Sequence, residues 1–166
     1  MDELKINGKD YEVKFNHRFY NRIVEEFAKE NKDSDTDGFN NLIAGLISED
    51  PDAVVRAYRC ACQSKTLPSM DAVGDALEDN GLFESNDIFS ETYKAIKDNG
   101  FLAMKIQHLL KLLKDNWKNS EIALKVVKEK TGKRDQKNLQ QAETDVEINK
   151  QAYELAKKQL QELGKQ

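Results

Sequence analysis

Long apolar runs are missing from this 166-residue chain: no stretch approaches the roughly 18 consecutive apolar residues of a membrane span. The first residues also lack the basic and apolar regions of a signal peptide, so a protein that stays in the cytosol where it is made is expected. Cysteine is scarce as well. Cys60 and Cys62, in YRCACQ, are too few for a disulfide framework, and a C-x-C pair without a second cluster cannot complete a tetrahedral zinc site. Residues two apart on a helix point to different sides, so these read as ordinary buried or half-buried thiols.

Catalytic motifs are missing too. The chain holds no Gly-rich phosphate loop, no H-E-x-x-H and no G-x-S-x-G elbow. Its two histidines, His17 and His108, are far apart and have no clustered ligand set around them. The stretch SDTDG lacks the spaced ligands and closing glutamate of a calcium loop, and adjacent acids such as Glu25 and Glu26 cannot converge on one point of a helix. A non-enzyme without metal or cofactor is the expectation.

Charge, by contrast, is abundant and unevenly placed. Charged residues are 34% of the chain and hydrophobic residues 39%, a solvated helical composition. Residues 1–104 carry 12 Lys/Arg against 21 Asp/Glu, whereas residues 105–166 carry 14 against 9. The two parts could therefore attract each other, within one chain or between copies.

Periodicity gives the fold class: mainly α, with an N-terminal β-hairpin packed on a multi-helix bundle and a C-terminal long helix or coiled-coil-like extension. In LKINGKDYEVKF, Asn7-Gly8 suits a type I′ turn, which puts Leu4, Ile6, Tyr11 and Val13 on one face. That face needs a cover, and the following helix is expected to supply it, with Asn16 as N-cap and Phe19, Ile23 and Phe27 in a stripe. The polar stretch KDSDTDG then breaks the pattern. A second helix follows in FNNLIAGLIS; a third starts at Pro51 behind Asp50; a fourth is capped by Ser69 and stops at Asn80-Gly81. A fifth ends on Asn99-Gly100.

After Gly100 the pattern changes. Leu102, Ile106, Leu109, Leu110, Leu113 and Trp117 form one wide stripe, which reads either as a core helix or as a surface receiving an apolar partner helix. A break is expected at Thr131-Gly132. From about Gln136 to Leu163, Leu139, Ala142, Val146, Asn149, Tyr153, Ala156, Leu160 and Leu163 follow the three- and four-residue steps of a coiled-coil seam. The seam could fold back on its own chain or pair between chains, with Leu139, Val146, Tyr153 and Leu160 as self-association residues. We place the domain boundary between residues 117 and 118. The lysines from Lys118 to Lys137 leave a second reading open, nucleic-acid binding or regulation in a mobile element, although acids are interspersed and aromatics do not interleave.

One resemblance goes further. LKINGKDYEVKFNHRFYNRIVEEF resembles the N-terminal signature of the tail assembly chaperones of long-tailed phages and prophages of Gram-positive bacteria. There an L-x-I-N-G-K-x-Y hairpin leads through a phenylalanine into a helix of the form R/K-F-x-x-x-I/L. The segment from Ile47 to Asp79 is similar to that family's Asp-Pro helix start followed by P-S-x-x-x-V-x-x-x-L-E, here Pro68, Ser69, Val73, Leu77 and Glu78. The helix NDIFSETYKAIKDNGF and its basic continuation fit the last common region. Asn16 stands where a glycine is common, and the portion after residue 118 has no counterpart. The resemblance implies a non-enzymatic scaffold in the host cytoplasm that coats the tape measure protein, a long apolar helical chain, until tail tube subunits polymerise around it. Many such chaperones have a second, frameshifted form whose extension engages the tube protein. Self-association into a homo-oligomer would add avidity along such a client.

Overall fold

A computed structural model describes residues 2–30, 38–84, 87–130 and 136–165, without the side chains of 27–30 and 130. The expected stripe position Phe27, residues 32–37 of the KDSDTDG stretch and the break at Thr131-Gly132 lie outside the described side chains and residues. Strands β1 (Glu3–Ile6) and β2 (Lys9–Glu12) pair antiparallel, with Leu4 opposite Tyr11 and Ile6 opposite Lys9. Asn7 at φ 50° and Gly8 at φ 77° supply the two positive angles that a type I′ turn demands. As the alternation predicts, Leu4, Ile6 and Val13 are buried and Tyr11 is half-buried on the same face.

Seven helices follow among the described residues: α1 (His17–Glu30), α2 (Gly38–Ile47), α3 (Pro51–Ala61), α4 (Met70–Asp79), α5 (Ile88–Lys97), α6 (Gly100–Lys130) and α7 (Gln136–Leu163). A 3-10 turn, Leu82–Glu84, separates α4 from α5. The fold is mainly α with an N-terminal hairpin, as the sequence predicts. Its caps are those the residue types require. The side-chain oxygen of Asn16 accepts from the Phe19 N–H at 3.1 Å, that of Asp50 from Asp52 N–H at 3.1 Å, and Ser69 Oγ from Ala72 N–H at 3.2 Å. Asn99 both follows α5 and caps α6, accepting from Phe101 N–H at 3.1 Å, so the expected stop at Asn99-Gly100 is a tight corner between two helices.

The hairpin's cover differs from the expectation. β1 packs on α4 rather than chiefly on α1, and the continuation of β2 is stitched to the end of α3. Lys14 N–H donates to the Ala61 carbonyl at 3.0 Å and Gln63 N–H donates to the Glu12 carbonyl at 2.7 Å. The apolar face of α1 is used elsewhere: it packs against α2 and α3, with Phe15 edge-on to both Phe19 and Tyr58.

At the α2–α3 corner the backbones come close. A Cβ built on Gly45 would lie 2.6 Å from the Cβ of Ala53, so only glycine fits there. Gly45→Ala should cost about 2 kcal/mol through overpacking, despite the better helix propensity of alanine; thermal unfolding by circular dichroism checks it.

Burial also settles the thiols. Cys60 and Cys62 are free and buried, and burial pushes the Cys60 thiol up to about 12 and the Cys62 thiol up to about 11. Thiolate is the reactive form, so iodoacetamide near neutral pH should leave both unmodified in the folded protein and label both after unfolding, as read by intact mass.

The chain divides into two compact units. One comprises residues 1–106 with 162–166, the other residues 107–161. Helix α6 is continuous through Trp117, and its first two turns belong to the first unit.

Candidate functional site

The stripe on α6 is divided between two environments. Leu102 is 0% exposed and Ile106 5%, both within the core of the first unit. Nearby, Phe101 packs against His17 at 4.8 Å and Tyr20 at 5.4 Å between ring centroids. These two stripe positions are therefore filled by the chain's own side chains. Leu109, Leu110, Leu113 and Trp117 are half-buried in the second unit.

In that second unit α6 and α7 form an intrachain hairpin. The half-buried positions of α6 step through Leu113, Trp117, Ser120, Leu124 and Val127, and those of α7 are the seam positions from Leu139 to Tyr153 and beyond. Trp117 stacks on Tyr153 at 5.9 Å, and Lys128 Nζ lies 3.3 Å from Glu143. The residue numbers rise on one helix as they fall on the other, so the pair is antiparallel. Leu139, Val146 and Tyr153 are half-buried and Leu160 is buried; pairing between chains through the seam would require this hairpin to open.

A different feature offers room for a ligand. In the first unit a groove of about 630 Å3 runs between α3, α4, the 3-10 turn and α5. Its floor is apolar, built from Val55, Met70, Phe83, Ile88 and Phe89. Its rim carries Asp52, Asp71, Asp75 and Glu78, and among the described residues no Lys or Arg lines it. Three of these acids sit on one face of α4 at i, i+4 and i+7, where like charges repel one another and weaken the helix. Gly74 stands among them, and a Cβ there would meet nothing within 4 Å, so the groove is open above the α4 backbone.

The walls are held by charged side chains that are themselves satisfied. Arg59 pairs with Glu26 and donates from Nε to the Pro68 carbonyl at 2.7 Å, which fixes the segment leading into α4. Arg22 donates to the carbonyls of Cys60, at 3.1 Å, Cys62 and Ser64, closing the C-terminal end of α3. The arrangement is an open groove of carboxylates over apolar side chains. Among the described residues no group of three or more His, Cys, Asp or Glu side chains could hold a metal ion. It can bind: an apolar trough under a ring of carboxylates suits an amphipathic segment flanked by Lys or Arg.

Sequence reasoning missed this groove. Its acids carried no reading of their own in the sequence, and its aromatics, Phe83 and Phe89, come from separate elements. The available signal was the row Asp71, Asp75 and Glu78 around a mid-helix glycine, without one base in α4.

Among the described residues no helix is long and apolar enough to cross a membrane. Nothing matches among the curated proteins or the solved structures. The family model described as phage tail assembly chaperone protein, TAC, matches residues 3–111, which takes in the hairpin, the groove and the start of α6. The chain thus belongs to the phage tail assembly chaperone family.

Proposed function

We propose that this chaperone holds an amphipathic, Lys- or Arg-flanked helical segment of the tape measure protein in the acidic groove, and so keeps that client soluble in the host cytoplasm until tail tube subunits are recruited around it. The observation that carries the reading is four rim carboxylates with no base over an apolar floor, in a protein of this family. An extended amphipathic client exposes more apolar surface than it can hide alone, and a trough taking anchors at i and i+4 covers it piece by piece. Co-expression with tape measure fragments tests it: the soluble fraction of a fragment should rise with the chaperone, and an unchanged fraction contradicts the proposal.

The α6 stripe remains a second client surface to test. In the present fold Leu109, Leu110, Leu113 and Trp117 are all half-buried, the last two as seam positions of the hairpin. If the client rests there, Leu109→Asp with Leu113→Asp abolishes capture while groove variants do not.

The nucleic-acid reading has little support. Lys111, Lys114, Lys118, Lys125 and Lys128 share one side of α6, but Glu121 stands among them and Glu143, Glu147 and Glu154 of α7 border the same flank of the hairpin. By the same spacing Lys150 and Lys157 of α7 join that flank, so seven lysines stand against four glutamates: the flank is mildly basic, with acids interspersed along it. A phosphate-binding surface would lose affinity steeply as salt rises.

A further inference from the structure

Of the six large apolar side chains that are exposed among the described residues, five lie on the α6–α7 hairpin: Leu112, Ile122, Val126, Ile148 and Leu155, between 41% and 59% exposed. Four of the five share one flank, and Ile122 lies on the outer side of α6. With Trp117 and Tyr153 as seam positions, Leu112 and Val126 fall on the same heptad position of α6, and Ile148 and Leu155 fall on the equivalent position of α7. In an antiparallel pair, equivalent flanks of the two helices meet on the same side of the hairpin. The Lys128–Glu143 ion pair marks the opposite, charged flank. One broad face therefore carries four exposed apolar side chains, with the polar Asn116, Asn119, Gln141 and Asp145 between them.

We propose that this face joins a second copy of the chain into an antiparallel four-helix bundle. The choice of occupant rests on three observations. Helices of 28 residues span about 42 Å, and two of them side by side present a face of roughly 800 Å2, the per-partner size of a standard stable interface. The face offers no cluster of charges to select an acidic or basic partner, whereas the groove does. It is also self-complementary: the Leu112 and Leu155 cluster and the Val126 and Ile148 cluster lie about equally far, on opposite sides, from a centre at Asn119 and Ala152. A two-fold axis at that centre lays each cluster on the other, brings Asn119 against its own copy, and uses Ala152 for close approach. Each dimer then carries two grooves, which adds avidity along a client.

The test is the solution mass of the full chain by light scattering after size exclusion. The wild type should run at twice 19.0 kDa. The pair Ile148→Asp and Leu155→Asp should weaken self-association by about 100-fold or more and give the monomer mass, with helicity unchanged because both residues are exposed in one chain. Lys118→Glu, on the charged flank, should remain dimeric. As a second reading that does not depend on the aspartates, Asn119→Cys should form an interchain disulfide on mild oxidation and Lys118→Cys should not. A wild type at monomer mass at every concentration, an aspartate variant that stays dimeric, or a face covered only when client is added would overturn the proposal. Gly74→Trp should dimerise normally, so failure of the groove and failure of this face are distinguishable.

Discussion

Gly74→Trp should reduce capture of a tape measure helix by about 100-fold or more while the chain stays folded. Position 74 lies in the interior of α4, where a Cβ meets open space and any larger side chain must enter the groove. Filling that space removes the proposed seat of a client's apolar anchors, whose burial would be the main source of affinity. The substitution also removes a mid-helix glycine, which costs a helix roughly 0.5–1 kcal/mol, so the fold should gain rather than lose stability. Reversing two rim charges, Asp71→Lys with Asp75→Lys, should have a smaller effect of about tenfold, because exposed charges are well solvated. Titration calorimetry with a client peptide separates the two. A plug without effect and a charge reversal with a large one would describe an electrostatic site instead of an apolar trough.

Arg22→Ala should destabilise the first unit by about 3 kcal/mol and lower its melting temperature by roughly 10 °C. One guanidinium serves three carbonyls, those of Cys60, Cys62 and Ser64, and it does so from α1, about 40 positions earlier in the chain. Burial and the neighbouring Arg18 pull its pKa below the ordinary value, yet it is well matched as a cation at a helix C-terminus. Without it the carbonyls at the end of α3 lose their donor beside the very residues, Ala61 and Gln63, that bond to the hairpin. Lysine cannot reproduce the fork, so Arg22→Lys should recover less than half of the loss. Circular dichroism melts of the three proteins decide it.

These two sites also show where sequence reasoning reached its limit. Local chemistry was legible: Asn7-Gly8 made the turn, Asn16, Asp50 and Ser69 made the caps, and the three- and four-residue steps from Leu139 to Leu163 located α7 and its seam. Periodicity tells which face of an element is apolar; it does not tell what covers that face. So α1 was expected over the hairpin, where α4 lies, and Leu102 to Trp117 looked like one stripe although Leu102 and Ile106 are core and Trp117 meets Tyr153. The Arg22 tie and the groove are assembled from distant segments; only the acidic row of α4 hints at the groove locally, and nothing announces the tie. Val55, Gly74, Phe83 and Phe89 become neighbours only once four elements pack.

The groove is the proposed seat of the client. Full-length chaperone mixed with a soluble tape measure fragment should give a joint peak in size-exclusion chromatography, and Gly74→Trp should abolish that peak while the Leu109→Asp, Leu113→Asp variant keeps it. A joint peak that survives the groove plug would contradict the account.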